Sequence, residues 1–169
     1  LSSGLSGVQL GQSTLVNQLY RIQSCNFSWA QQLTNVQQMG ETAAIDRIAL
    51  SAPNVTLDFT YLLSSLINES GLGFNTNGQV SVLSGILTQV SDEKNYFLEI
   101  NPEGIDNNAS TLANDSRIVT VGIGNGFISS YGLQAAVGGL PTVSVSVVGS
   151  NVTWITGTSG VIPAVNPVN

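Results

Sequence analysis

The run TVSVSVV at residues 142–148 alternates β-branched valines with small polar side chains, and strict period two of this kind marks a half-buried strand. Val143, Val145 and Val147 fall on one face, Thr142, Ser144 and Ser146 on the other. The run lies inside residues 129–152, which carry no charged side chain at all. Gly138, Gly139 and Pro141 punctuate that stretch into two strands about a turn: the glycines are free to take positive φ, and Pro141, without an N–H, suits the first residue of the second strand. A one-residue slip would turn all three valines to the wrong face, so these turn residues are expected to fix the register.

The same period recurs upstream. In residues 55–62, Leu57, Phe59 and Tyr61 share one face and Asp58 and Thr60 the other, and residues 45–50 read as a neighbouring strand joined through a hairpin turn at Ser51, Ala52, Pro53 and Asn54. Residues 19–29 carry enough aromatic side chains to favour a strand, with Tyr20, Ile22, Ser24, Asn26 and Ser28 facing one way and Arg21, Gln23, Cys25, Phe27 and Trp29 the other. Residues 95–100 form a further strand ended by Asn101 and Pro102. A final β region runs from Arg117 to Thr156, with a hairpin turn at Asn125-Gly126. Residues 30–44 place Leu33, Val36 and Met39 at spacing three ahead of Gly40 and read either as a short amphipathic helix or as a long excursion between two strands. A short helix is expected to begin within residues 64–69, residues 80–90 lean towards helix, and residues 103–116 form a polar loop. Short strands close in sequence predict a mainly β chain, an antiparallel sandwich or distorted barrel with one or two short helices and a long inter-strand loop. Residues 1–18 read as an N-terminal arm, 19–156 as the β domain, and 157–169 as a C-terminal arm or linker to further sequence.

Only 8 % of the 169 residues are charged and the formal net charge is −6, which implies that part of the uncharged surface is covered by copies or partners. The four basic residues, Arg21, Arg47, Lys94 and Arg117, are scattered, so no basic stripe exists for tight nucleic-acid binding. Cys25 is alone, which excludes an intrachain disulfide and leaves an ordinary buried thiol. Without His the usual zinc sets cannot be assembled, and neither a metal nor a cofactor is expected. No apolar run approaches the ~20 residues of a membrane helix. Asn-x-Ser/Thr triplets at Asn26, Asn54, Asn68, Asn108, Asn114 and Asn151 follow from the abundance of those residue types.

Asp46 with Asp58, and Asp92 with Glu93, are the nearest approach to an acid–base pair, but with no His beside them they read as solvated carboxylates. VGIGNGF at residues 121–127 has G-x-G-x-G in place of G-x-G-x-x-G and is followed by strands, so it reads as a turn and not as a nucleotide loop. Serine and threonine abound, yet no His or well-placed Lys can activate them, and no enzyme activity is expected. A β-sandwich adhesin or receptor-binding domain is the alternative; for an aromatic ligand cluster it has only two tryptophans, Trp29 and Trp154.

The final hairpin resembles that of the tail tube proteins (major tail proteins) of long-tailed bacteriophages. The residues that carry the resemblance are Ser130-Tyr131, the turn Val137-Gly138-Gly139-Leu140-Pro141-Thr142, the alternating run from Val143 to Val148, and Gly149-Ser150-Asn151. Upstream, QSCNFSW and then QQMGETAAIDRIALSAPNVTLDFTYLL are similar to the family's early strand, its extended loop bearing a Gly, and a strand pair with Pro between. The two matches span residues 23–63 and 117–151; residues 66–116 lack one, and the family's strands often carry more charge than these. The resemblance implies a structural virion subunit whose β-sandwiches form homohexameric rings stacked into a tube. DNA passes down the lumen into the bacterial host without specific binding, and sheath, tape measure and other tail proteins are the further partners. The subunit is made in the host cytoplasm, resides in the virion tail and needs no membrane. It also implies that Leu33, Val36 and Met39 contact a neighbouring ring, that Asp58, Glu99 and Asp115 face the lumen, where negative charge repels phosphate, and that Gly138, Gly139 and Pro141 set the hairpin turn.

Overall fold

The computed structural model describes residues 2–5, 16–40, 43–49, 51–74, 76, 94–104 and 117–156. Their elements are β1 Ser2–Leu5, β2 Val16–Gln18, β3 Ile22–Ala30, β4 Leu33–Gln37, β5 Ala44–Ala49, β6 Asn54–Leu62, α1 Ile67–Leu72, β7 Lys94–Ile100, β8 Val119–Gln134, β9 Thr142–Gly149 and β10 Asn151–Thr156.

The two cleanest alternating runs lie side by side. β6 pairs antiparallel with β9 from Val55 opposite Gly149 to Leu62 opposite Thr142, which sets Leu57, Phe59 and Tyr61 against Val147, Val145 and Val143. All six are at most 1 % exposed, each contributing about 1.5–3 kcal/mol through burial. β3 pairs with the other edge of β6, with a register shift between Ile22 and Ser24. That bulge moves Ile22 onto the side of Cys25 and Phe27, and all three pack against the core. Strict alternation grouped Ile22 with Ser24; the irregularity around Gln23 overturns the grouping.

β8 runs unbroken through Asn125-Gly126, where a hairpin turn was expected. Asn125 does hold a positive φ of 54°, as that dipeptide favours, but the left-handed residue bends the strand instead of reversing it. Before the bend β8 pairs with β7 and β10, and after it with β9. β9 and β10, separated only by Ser150, therefore follow the same edge of β8 around the corner. A Cβ on Gly149 would stand 2.9 Å from both the Gly124 carbonyl oxygen and Ile123 Cγ2, and one on Gly126 would stand 2.9 Å from the Tyr96 ring. The corner thus requires glycine on both strands.

Two sheets share β8: one runs β2-β1-β7-β8 with β10 beside β8, the other β8-β9-β6-β3. They enclose one core, and at their outer strands Trp154 of β10 meets Phe27 and Trp29 of β3 at centroid distances of 6.3 and 6.2 Å. The architecture is the expected mainly β distorted barrel with a short helix. β1 and β2, read from sequence as part of an arm, extend the sheet from the edge of β7.

Residues 51–53 are not a hairpin turn between β5 and β6. Both edges of β6 are occupied, by β3 and β9, so β5 instead returns along β4 as a separate two-stranded sheet. Residues 30–44 accordingly contain no described helix but the outgoing strand and a turn at Gly40, whose φ is +98°. No described helix is long and apolar enough to cross a membrane. Residues 80–90, Asp92, Glu93, residues 105–116 with Asp115, and residues 157–169 lie outside the described residues.

Candidate functional site

Period two leaves the outward face of the β6 sheet to small polar side chains. Ser24 and Thr60 share a hydroxyl–hydroxyl hydrogen bond of 2.7 Å, as do Ser28 and Thr56, and the Ser146 hydroxyl donates to Asp58 Oδ1. The register aligns Asn26, Asp58 and Ser146 across three strands, so Asp58 is the carboxylate in the middle of a field of Ser, Thr and Asn. Neither β3, β6, β8 nor β9 contains Lys or Arg. Glu99 is exposed on β7, opposite Thr120 in the other sheet; it is not brought together with Asp58.

The β4–β5 hairpin leaves the body after Ala30 and rejoins it at Asn54, residues that face each other at one end of the β3–β6 ladder. In a strand, spacing three places two side chains on opposite faces, so Leu33 and Val36 point opposite ways and Met39 lies in the turn region. Leu33 sits opposite Ala49; Val36 sits opposite Asp46, beside Ile48 on the same face. Ile45 is the extra residue of a bulge. Leu33, Ile45 and Ile48 are each about half exposed and Met39 fully so. Both faces of the hairpin thus carry partly exposed apolar side chains, Leu33 on the face of Arg47 and Ile48 on the face of Asp46, and among the described residues the hairpin pairs with no other strand.

At the opposite end of the ladder α1 caps the core. Its Asn68 clasps the backbone of Tyr20, accepting its N–H at 2.9 Å and donating to its carbonyl at 2.8 Å, which also removes Asn68 as a glycan acceptor. The next residue, Glu69, is 4 % exposed; its Oε1 accepts from the phenols of Tyr61 at 2.7 Å and Tyr131 at 3.0 Å, while Oε2 has no partner among the described residues. Burial, and then the hydrogen bond to Glu69, holds the Tyr61 phenol far above its ordinary range; burial chiefly raises Tyr131 as well. These phenols stay protonated and donate, a knot that joins β6, α1 and β8. Sequence reasoning missed Glu69, for a lone acid in a short polar-looking segment carries no local sign of a partner 62 residues away.

The hairpin turn expected at Gly138, Gly139 and Pro141 lies at this same end. Gly138 holds φ +80° and Gly139 does not share the left-handed region; the Gly139 N–H donates to the Ala136 carbonyl at 3.0 Å. Pro141 immediately precedes β9, and its carbonyl accepts the N–H of Leu63 at 2.9 Å, tying the turn to the segment leading into α1. Among the described residues no three His, Cys, Asp or Glu side chains come together in a way that could hold a metal ion.

No protein-family model and no curated protein matches the sequence. Solved structures do. The SPP1 tail tube, solved by solid-state NMR and cryo-EM, superposes with a TM-score of 0.51 at 9 % identity, covering 92 % of this chain and 75 % of that one. A chain of the sheath–tube complex of an extracellular contractile injection system, PVC, gives 0.51 at 6 % identity, covering 92 % and 87 %. At such identities the likeness is one of backbone architecture, and it extends over nearly the whole chain: this sequence is built on the tail-tube fold.

Proposed function

We propose that the chain is a structural, non-catalytic subunit of a virion tail tube, self-assembling into stacked rings. The observation that carries this reading is the β4–β5 hairpin, which has exposed apolar side chains on both faces and pairs with no other strand among the described residues, on a fold shared with the SPP1 tail tube. A soluble monomer has no use for such an element, whereas a subunit covered by copies of itself does. Leu33, Val36 and Met39 then lie against a neighbouring ring, as the resemblance implied.

In this arrangement the Ser/Thr/Asn face around Asp58 lines the lumen. It carries a carboxylate and no base, so DNA phosphates are repelled and slide past instead of binding. Glu99 and Asp115 are the other acidic lumen candidates. Rings are homohexameric, DNA travels through them into the bacterial host, and sheath, tape measure and other tail proteins complete the tail after synthesis in the host cytoplasm. Negative-stain micrographs of the concentrated purified chain test the reading: rings and hollow tubes are expected, and a protein that stays monomeric under all salt and concentration conditions would refute it.

One observation favours the adhesin alternative. Trp29 and Trp154 stand edge-to-face, each about half exposed, and form the kind of aromatic platform that stacks on a sugar ring. Quenching of tryptophan fluorescence by a glycan, without tube formation, would support it.

A further inference from the structure

The exposed large apolar side chains are not scattered; most of them gather at the two ends of the β3–β6 ladder. At one end are Leu33, Met39, Ile45 and Ile48 of the hairpin. At the other are Leu66 before α1 and Ile67 at its start, Val137 and Leu140 in the β8–β9 turn, and Tyr20. The connections require this polarity. Ala30 opposite Asn54 marks the hairpin end, whereas the bonds from Tyr20 to Asn68 and from Leu63 to Pro141 mark the α1 end. The nine residues of β6 separate the two poles by roughly 30 Å.

The α1 pole also holds a cleft of about 300 Å³ lined by Tyr20, Arg21, Ser64, Ser65, Ile67 and Asn68. The hairpin face bearing Val36, Asp46 and Ile48 has the matching character: a carboxylate between two apolar side chains, against a cleft whose lining combines the basic Arg21 with Ile67 and Tyr20. We propose that this cleft receives the β4–β5 hairpin of another copy of the chain, with Asp46 pairing to Arg21 and with Val36 and Ile48 covering Ile67. The occupant is a second copy because the hairpin springs from the pole opposite the cleft, about the length of β6 away from it. A contact between unlike poles is heterologous, and repeated it builds an open stack instead of a closed dimer. The proposal rests on the tube reading and adds the receptor site and its charge pair.

Charge reversal tests it. Asp46→Arg and Arg21→Asp are each expected to lower the yield of pelletable tubes by about tenfold or more, since like charges at an interface cost several kcal/mol. The double variant is expected to return the yield to the parental level. Asp suits position 21, whose φ is +59°, because Asp tolerates the left-handed region. Single variants that assemble like the parent, or a double variant that fails to recover, overturn the pairing. In parallel, with Cys25 replaced by Ser throughout, Ile48→Cys with Ser65→Cys in one chain should oxidise to a ladder of dimers, trimers and longer species on a denaturing gel. Either cysteine alone should give no ladder, and its absence from the double variant overturns the docking. A parent that forms no tubes refutes the tube reading itself, whereas parental tubes with no cross-link and no charge effect refute only this contact.

Discussion

Gly138 and Gly139 look interchangeable in the sequence, but the backbone separates them. Gly138 occupies the left-handed region with nothing near its would-be Cβ, while Gly139 has ordinary contacts at 3.6 Å. Gly138→Val should therefore destabilise by about 1–3 kcal/mol through backbone strain alone, and Gly139→Val by less than about 0.5 kcal/mol. Gly149→Val should cost about as much as the former by overpacking the corner; thermal melts of the three rank them. Glu69 offers a second comparison. Glu69→Gln retains an acceptor for Tyr61 and Tyr131, whereas Glu69→Ala leaves the buried Tyr61 hydroxyl unpaired and should cost about 2–3 kcal/mol. Because the folded chain keeps the Tyr61 proton well above the phenol's ordinary range, its contribution is complete below about pH 10. Above that pH the unfolded chain releases the proton first, so stability falls by up to about 1.4 kcal/mol per pH unit for this group. Denaturant titrations between pH 9 and 12 should show a shallower fall for Tyr61→Phe.

Among the elements, β6 and β9 were legible residue by residue because each has one face in the core and one in the open, which period two reports directly. β4 was not. Its apolar residues serve faces that the subunit itself leaves uncovered, so Leu33, Val36 and Met39 gave a spacing that mimics a helix. Asn125-Gly126 was legible as a positive-φ site but not as a corner, since whether a strand reverses or bends there depends on β10, which returns along the same edge from 30 residues downstream. The pairing of β5 with β4 was hidden for a like reason: nothing local in residues 51–54 reveals that both edges of β6 are already taken. Leu33→Ser, Val36→Ser and Met39→Ser combined should leave the melting temperature nearly unchanged, as for exposed positions, while abolishing tubes in the electron microscope. A triple variant that unfolds would instead assign the hairpin to the subunit's own core.

For the whole molecule, charge is the determinant that assembly multiplies. In the proposed tube the net charge of −6 per chain recurs in every copy, and a change at Asp58 is repeated around each ring. Asp58→Lys replaces a carboxylate amid hydroxyls with an ammonium and, with this face on the lumen as proposed, should convert a wall indifferent to DNA into one that retains it. Filter binding of short duplex DNA to preformed tubes is expected to rise for Asp58→Lys and to weaken steeply with salt, with Asp58→Asn near the parent. Equal binding by the parent and Asp58→Lys would place this face elsewhere in the tube.

The unbroken course of β8 and its folded partner β9–β10 bears on how the chain comes to be folded at all. These strands lie within the last 51 residues of the 169, and they contribute ladders to both sheets, so the centre of the barrel is assembled from contacts close in sequence, where loop closure is least demanding. β1, β3 and β6 must come from far upstream and join a template already bent to shape. Synthesis from the N-terminus therefore leaves the second edge of β6, the one not taken by β3, open until β9 has emerged. Val145→Ala, in the template, should chiefly slow refolding, and Phe27→Ala, on the late-arriving β3, should chiefly hasten unfolding.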